Sequence, residues 1–317
     1  MPLPTPQNNE TESEFIERCV QDNTMQNEFP DEDQRIGVCY RQWSNNKSHP
    51  QRFKAVNRQW STVNRQRASY RNQYRKPIGD ALDEHVSQMF EVIEQTSDIN
   101  LVPQRIQEMS LRSGMIQDVF ERLYVNVGVD FAKFYRRQVK QKVDYTTKQT
   151  DEEMIQAMIA EEMREFVREN ADAKIAVVTN TSINDILRKI KEVIPEILEQ
   201  GIGGGEAQTM LRDRIEDEWL RFKRFRTERI VRTETTPASS IGSMKGVKST
   251  GVPHMKIWTA AFDETRDWHA AASGQRVDMD GDFIVNGESM SYPGDPRGSA
   301  INVINCNCAL NYEVKGR

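Results

Sequence analysis

No run of about 18 apolar residues occurs in this chain, which argues against a membrane-spanning helix and leaves no membrane among the expected partners. Cysteine is scarce, with four residues at 19, 39, 306 and 308. That is too few for a disulfide framework, so free thiols in a reducing compartment are expected. The N-terminal Met-Pro-Leu-Pro-Thr-Pro has neither a basic nor an apolar region of the kind a secretory signal needs, so none is expected there. A net charge of -5 removes bulk affinity for nucleic acid and leaves only local affinity open. Apolar residues make up 37%, charged residues 29%, and mean hydropathy is -0.73. Such polarity suits extended, solvated helices that keep part of their surface for partners. At 317 residues there is room for two domains, or for one with long helical extensions.

Residues 1–12 are rich in Pro, Asn and Glu and are expected to be disordered. Residues 13–45 read as a short helical module. Phe15, Ile16, Cys19 and Val20 form one stripe, and a second helix opens at Phe29-Pro30 with acids in its first turn. Two small helices facing each other would bury Cys19 and Cys39 together, as core residues rather than a metal pair. From Gln34 to Gly79 acid is wholly absent. Residues 46–79 read as a basic linker in which Arg52, Lys54, Arg58, Arg65, Arg67, Arg71, Arg75 and Lys76 alternate with Phe53, Trp60, Tyr70 and Tyr74. Basic residues with aromatics between them can follow a phosphate backbone and stack on bases; the plainer reading is a solvated linker or helix face.

Residues 80–174 have helical periodicity and read as a bundle or stalk, with a break near Gly128 and one helix from about Asp151 to Val167. Ser182 and Asp185 suggest a weak capping box and a fresh helix start, while Pro195 and Pro237 suggest kinks. Gly201 to Gly205 lacks the Lys-Ser/Thr of a phosphate-binding loop and reads as a helix–helix turn. In the next helix Ser239, Gly242 and Gly246 are small residues that permit close backbone approach. The fold class expected is α+β: a long, mainly α-helical N-terminal and central region, then a small C-terminal α+β module.

Uncommon residue types are concentrated in that last part. Lys256 to Ala260 reads as a strand. Asp263, Arg266 and His269 would share one face of a helix. Asp280-Gly281 signals a hairpin, and Asn302 to Val314 a last strand with Cys306, Cys308, Leu310 and Tyr312 on one face. Two thiols on such a face can ligate zinc with His269 and Asp263, or can be small core residues; the spacing leaves both readings open.

The order Arg232-Thr-Glu234, Trp258, Asp263-x-x-Arg266-x-x-His269, Gly274, Phe283-x-Val285-x-Gly287, Tyr292-Pro-Gly-Asp295-Pro and Asn305-Cys306-x-Cys308 resembles the phage Mu protein F-like family of minor head (head morphogenesis) proteins. The resemblance covers residues 175–317 in domain terms, with its motifs between about 175 and 314. Asn307 replaces the Arg that family members usually carry between the final cysteines, and Ile301 stands where a Glu is frequent. Phe15-Ile-x-Arg-Cys19, Phe29-Pro-Asp and Gln34-Arg-x-x-x-Cys39 also resemble a short module of tailed-phage head-gene products. The resemblance implies a structural protein of the virion, located in the capsid interior and assembled in the host cytoplasm. Its implied partners are the portal protein, other head or scaffold proteins and double-stranded DNA, and its implied role is in head morphogenesis, DNA packaging or ejection. Catalytic residues are not implied. The competing readings are a metal-dependent hydrolase or nuclease using His269, Cys306 and Cys308 with Asp263 or Glu264 as base, and a DNA-binding module built on residues 35–76.

Overall fold

The computed structural model describes residues 3–7, 10, 12–28, 35, 38–39, 42, 50–142, 152–261 and 265–315, apart from the side chains of 12–13, 28, 50–58, 142 and 171–172. Four long helices, Pro50–Gln95, Gly114–Lys142, Glu152–Glu199 and Gly204–Lys248, make the protein mainly helical. A small set of antiparallel strands follows: β1 His254–Thr259, β2 Arg276–Asp278, β3 Phe283–Val285, β4 Glu288–Met290 and β5 Ala309–Val314. The α+β class expected from the sequence is the class observed. No helix among the described residues is long and apolar enough to cross a membrane.

The helices are longer than their sequence signals imply. Residues 50–79, expected as a linker, are helical and continue without interruption to Gln95. The expected stop near Val167 and restart at Ser182 are absent, because the hydroxyls there bond back along their own helix. Thr181 Oγ1 donates to the Val177 carbonyl at 2.7 Å and Ser182 Oγ to that of Val178 at 3.0 Å, so neither leaves the helix to act as a cap. Pro77, Pro195 and Pro237 all lie inside helices. The glycine run does form a turn, with Gly201 and Gly204 both at positive φ.

Chain contacts divide the protein into two units that are not successive segments. One comprises Met1–Ser69, Val127–Ile159 and Thr233–Arg317; the other Tyr70–Asn126 and Ala160–Arg232. In the second unit, Leu82, Val86, Met89, Leu123, Ile186, Ile190, Leu211 and Ile215 are buried. Polar ties surround them. Trp219 Nε1 donates to Asp83 at 2.8 Å, and Lys223 pairs with the same carboxylate. Arg226 bonds Asp185 at 2.9 Å, the Val178 carbonyl at 2.6 Å and Ser182 Oγ at 3.0 Å.

In the first unit the 114–142 and 204–248 helices cross backbone to backbone. A Cβ added at Gly242 would lie 2.2 Å from the Gly128 carbonyl oxygen, and one at Gly246 would lie 2.3 Å from that of Ala132. Gly128, expected to break a helix, is instead part of this crossing. The expected close approach at Gly242 and Gly246 is what the structure shows. Two rings tie β5 to the same helices. Tyr135 Oη donates to the Leu310 carbonyl at 2.8 Å, and the Tyr312 and Ser243 hydroxyls are 2.7 Å apart.

The sheet order is β2-β1-β5, with β1 central and both pairings antiparallel. Asp280-Gly281 is not a two-strand hairpin turn, since β2 pairs with β1. The hairpin is β3–β4, turned by Asn286 and Gly287, both at positive φ as such a two-residue turn requires. The last strand starts at Ala309, because Ala300–Val303 is a helical turn and Asn305 has positive φ. In the N-terminal module Phe15, Met25 and Val38 are packed around a Cys19–Cys39 disulfide, with Cα atoms 5.8 Å apart. The expectation of free thiols fails for this pair. A module this small buries little apolar surface, and closing a chain loop limits the unfolded ensemble instead. The second helix expected at Phe29-Pro30 begins outside the described residues.

Two predictions follow from this packing. Gly242→Ala forces backbone apart at the crossing and is expected to destabilise the protein by about 2–3 kcal/mol in urea unfolding, whereas an alanine at Gly205, a helical position with open space, is expected to be neutral or slightly stabilising. Lys256, fully buried on β1, donates to the Ser291 carbonyl at 2.8 Å, and its burial pushes its pKa down to about 8 against the pull of Asp282. Between about pH 8 and the ordinary lysine value near 10.4, the unfolded chain therefore holds a proton that the folded chain lacks, and this group's contribution to stability rises with pH. The urea midpoint of the wild type is expected to gain on that of Lys256→Met between pH 7 and about pH 10; a constant difference would remove Lys256 as the cause.

Candidate functional site

Arg266, His269, Asn305, Cys306 and Cys308, among the C-terminal residues singled out from sequence, meet at one loop, 305–308, which joins the 300–303 helical turn to β5. Its backbone is held from several sides. Asn305, at φ 58°, donates its N–H to Thr233 Oγ1 at 3.1 Å. Thr236 Oγ1 donates to the Cys306 carbonyl at 2.6 Å. The Asn307 carbonyl accepts from Trp60 Nε1 at 3.1 Å, and the Cys308 carbonyl from Arg67 Nη1 at 2.8 Å. Arg67 also donates through Nε to Ser239 Oγ at 2.7 Å. Asn307, where an arginine was expected by resemblance, donates from Nδ2 to Asn64 Oδ1 at 3.2 Å.

This overturns part of the reading of the basic stretch. Arg67 is 1% exposed and serves the fold from within, so it is no phosphate contact. Burial pushes its guanidinium below the ordinary arginine value, partly offset by the nearby Cys306 sulfur. Of the others, Arg75 pairs with Glu228 at 3.5 Å and Lys76 with Asp80 at 2.6 Å. Arg65 is exposed and Arg71 half-buried. The side chains of Arg52, Lys54 and Arg58 lie outside the described residues.

Under the loop, His269 from the Asp267–Ala271 helix meets both thiols. Its Nδ1 is 3.3 Å from Cys308 Sγ and 3.6 Å from Cys306 Sγ. All three residues are 1% exposed. Trp258 of β1 covers them, its ring centroid 5.7 Å from that of His269 and 5.4 Å from that of Phe283. A hydrogen bond with Cys308 and another with His269 hold the Cys306 thiol well below the ordinary value, while burial pushes Cys308 up. Among the described residues these are the one cluster of three or more metal-ligating side chains, with donor atoms within 4.8 Å of one another. Asp263, expected as a fourth ligand, and Glu264 lie outside the described residues.

The remaining motif residues are framework. Arg266 is not in the helix with His269 but caps it, and its Nη2 donates to the Ile304 carbonyl. Gly274, at φ 92°, donates its N–H to the Trp258 carbonyl at 2.8 Å. Asp295 is buried and accepts from the Ser291 N–H at 2.7 Å and from Arg297 Nη2 at 2.7 Å, closing the Tyr292-Pro-Gly-Asp turn. Tyr292 has its phenol pushed up, first by burial and then by Asp295. Glu234 is buried on the 204–248 helix and Arg232 half-buried two residues before it. Sequence reasoning missed Thr233 and Thr236, and placed Arg67 and Trp60 in the basic stretch without connecting them to this loop, which is far from them in the chain. It also missed Arg297, which bridges Asp282 at 3.0 Å and Asp295.

A 92-residue stretch of the chain is 35% identical to the NAD(+)–arginine ADP-ribosyltransferase EFV of Enterococcus faecalis. It covers 28% of this chain and 19% of that protein, less than a fifth of its length. No family model matches the chain, and no solved structure matches it significantly.

Replacing Arg67 by Met strands the Cys308 carbonyl, and is expected to cost about 2–4 kcal/mol of stability. Arg65→Ala, two residues away but exposed, is expected to stay within about 0.5 kcal/mol of wild type. Equal urea midpoints for the two variants would refute the internal role of Arg67.

Proposed function

We propose that this protein is a minor head protein of a tailed phage, associated with the portal inside the capsid and supporting head morphogenesis, DNA packaging or ejection. The observation that carries the reading is the convergence of the motif residues of the phage Mu protein F-like resemblance. Arg266, His269, Asn305, Cys306 and Cys308 meet at one loop, and Gly274 and Asp295 each close a turn in the same small module. Residues that carry a family pattern for structural reasons are expected to behave in this way.

The enzyme reading has less behind it. The three candidate ligands are enclosed, whereas a catalytic metal keeps a position open to substrate. The DNA-binding reading loses Arg67 to the interior and finds Arg75 and Lys76 already paired with acids.

Co-expression with the portal protein of the same genome tests the proposal. The expected outcome is co-purification that survives nuclease treatment, and low-copy incorporation of the chain into procapsids. Procapsids that assemble without it, together with no portal association under assembly conditions, would overturn the reading.

A further inference from the structure

We propose that His269 Nδ1, Cys306 Sγ and Cys308 Sγ bind a single thiophilic divalent ion, zinc in the first instance, as a structural centre that fixes the 305–308 loop. The inference stands on donor geometry and holds whether or not the protein belongs to a phage head.

The distances fit an ion. A tetrahedral zinc with bonds of about 2.3 Å to sulfur and about 2.0–2.1 Å to nitrogen sets its N···S ligand edges at about 3.5 Å. The two N···S separations here are 3.3 and 3.6 Å. Without an ion, the one lone pair of Nδ1 can accept from only one of the two sulfurs, although both are in reach. Two sulfurs and an imidazole nitrogen also define the ion class, since hard cations such as magnesium and calcium take oxygen donors.

The donors are set in place by contacts that do not involve one another. The His269 N–H donates to the Arg266 carbonyl at 3.0 Å, and the His269 ring meets Trp258 edge to face. The two cysteines are fixed through their carbonyls, by Thr236 and by Arg67. Binding therefore needs little ordering of the chain beyond deprotonation of the thiols. Burial of all three donors keeps bulk solvent from the ion, and a water molecule would complete the tetrahedral set of four. The Cys306-x-Cys308 spacing differs from the two-residue spacer of common zinc knuckles. The positive φ of Asn305 and the non-strand backbone before Ala309 turn both sulfurs to the same side of the loop.

The test is metal analysis of the full-length protein, purified under reducing conditions and reconstituted with zinc or cobalt. Wild type is expected to hold one ion per chain, and with cobalt to show thiolate-to-metal charge transfer and the visible bands of a tetrahedral site. Cys306→Ser and Cys308→Ser are expected to lose the ion, while His269→Cys, which supplies a third thiolate, retains it. Should the serine variants fail to fold, titrating wild-type thiols with a mercurial while following zinc release gives the same information, with release complete when two buried thiols have reacted. Chelation is expected to lower the thermal midpoint of wild type. Wild type without stoichiometric metal after reconstitution, or metal retained equally when both cysteines are replaced, would overturn the proposal.

Discussion

A buried guanidinium holds the C-terminal module to the helices of its unit. Arg67 has given up its water to bond the Cys308 carbonyl and Ser239, and a charge that deep is tolerable only while those acceptors remain. Of these acceptors, the Cys308 carbonyl belongs to the loop just before β5 and Ser239 to the 204–248 helix. Helix 50–95 and the strand module therefore depend on each other: the helix lacks a reason to carry a buried arginine without the loop, and the Cys308 carbonyl lacks its donor without the helix. Trp60 and Thr236 extend the arrangement to a second carbonyl and a second helix.

The 204–248 helix shows the same economy in its composition. From Glu234 to Ser243 its buried positions include Thr235, Thr236, Ser239 and Ser240, residues that would be poor choices for an apolar core. Their small size allows close approach, and their hydroxyls serve either their own helix or an incoming loop. Ser240 bonds the Thr236 carbonyl and also the Pro293 carbonyl. Such a face specifies its partner by hydrogen bonds more than by apolar area, so it fits one loop and few others.

How much of this was legible depended on whether the deciding contact was local. Amphipathic periodicity located the helices, and the small residues at 239, 242 and 246 announced a close crossing. The helix start expected at Ser182 is absent, because Ser182 looks like a cap in sequence and only its actual rotamer shows it bonding backward. The hairpin was placed at Asp280-Gly281 although Asn286-Gly287 carries an equally strong turn signal; what separates the two is that β2 finds its partner in β1. Arg67 was read as part of a basic surface run, since nothing in its neighbours distinguishes an arginine bound for the interior. His269, Cys306 and Cys308 were recognisable as a set because their residue types are rare here. Cys19 and Cys39 were grouped correctly in space but assigned the wrong oxidation state.

The crossing at Gly128–Gly242 and Ala132–Gly246 has a mechanical consequence. Most helix contacts are cushioned by side chains that can change rotamer, and so absorb small displacements. Here peptide groups rest directly on peptide groups, and nothing between them can yield. A push on one of these helices is passed to the other almost undiminished, and through Tyr135 and Ser243 to β5. Contact of this kind leaves the crossing no slack.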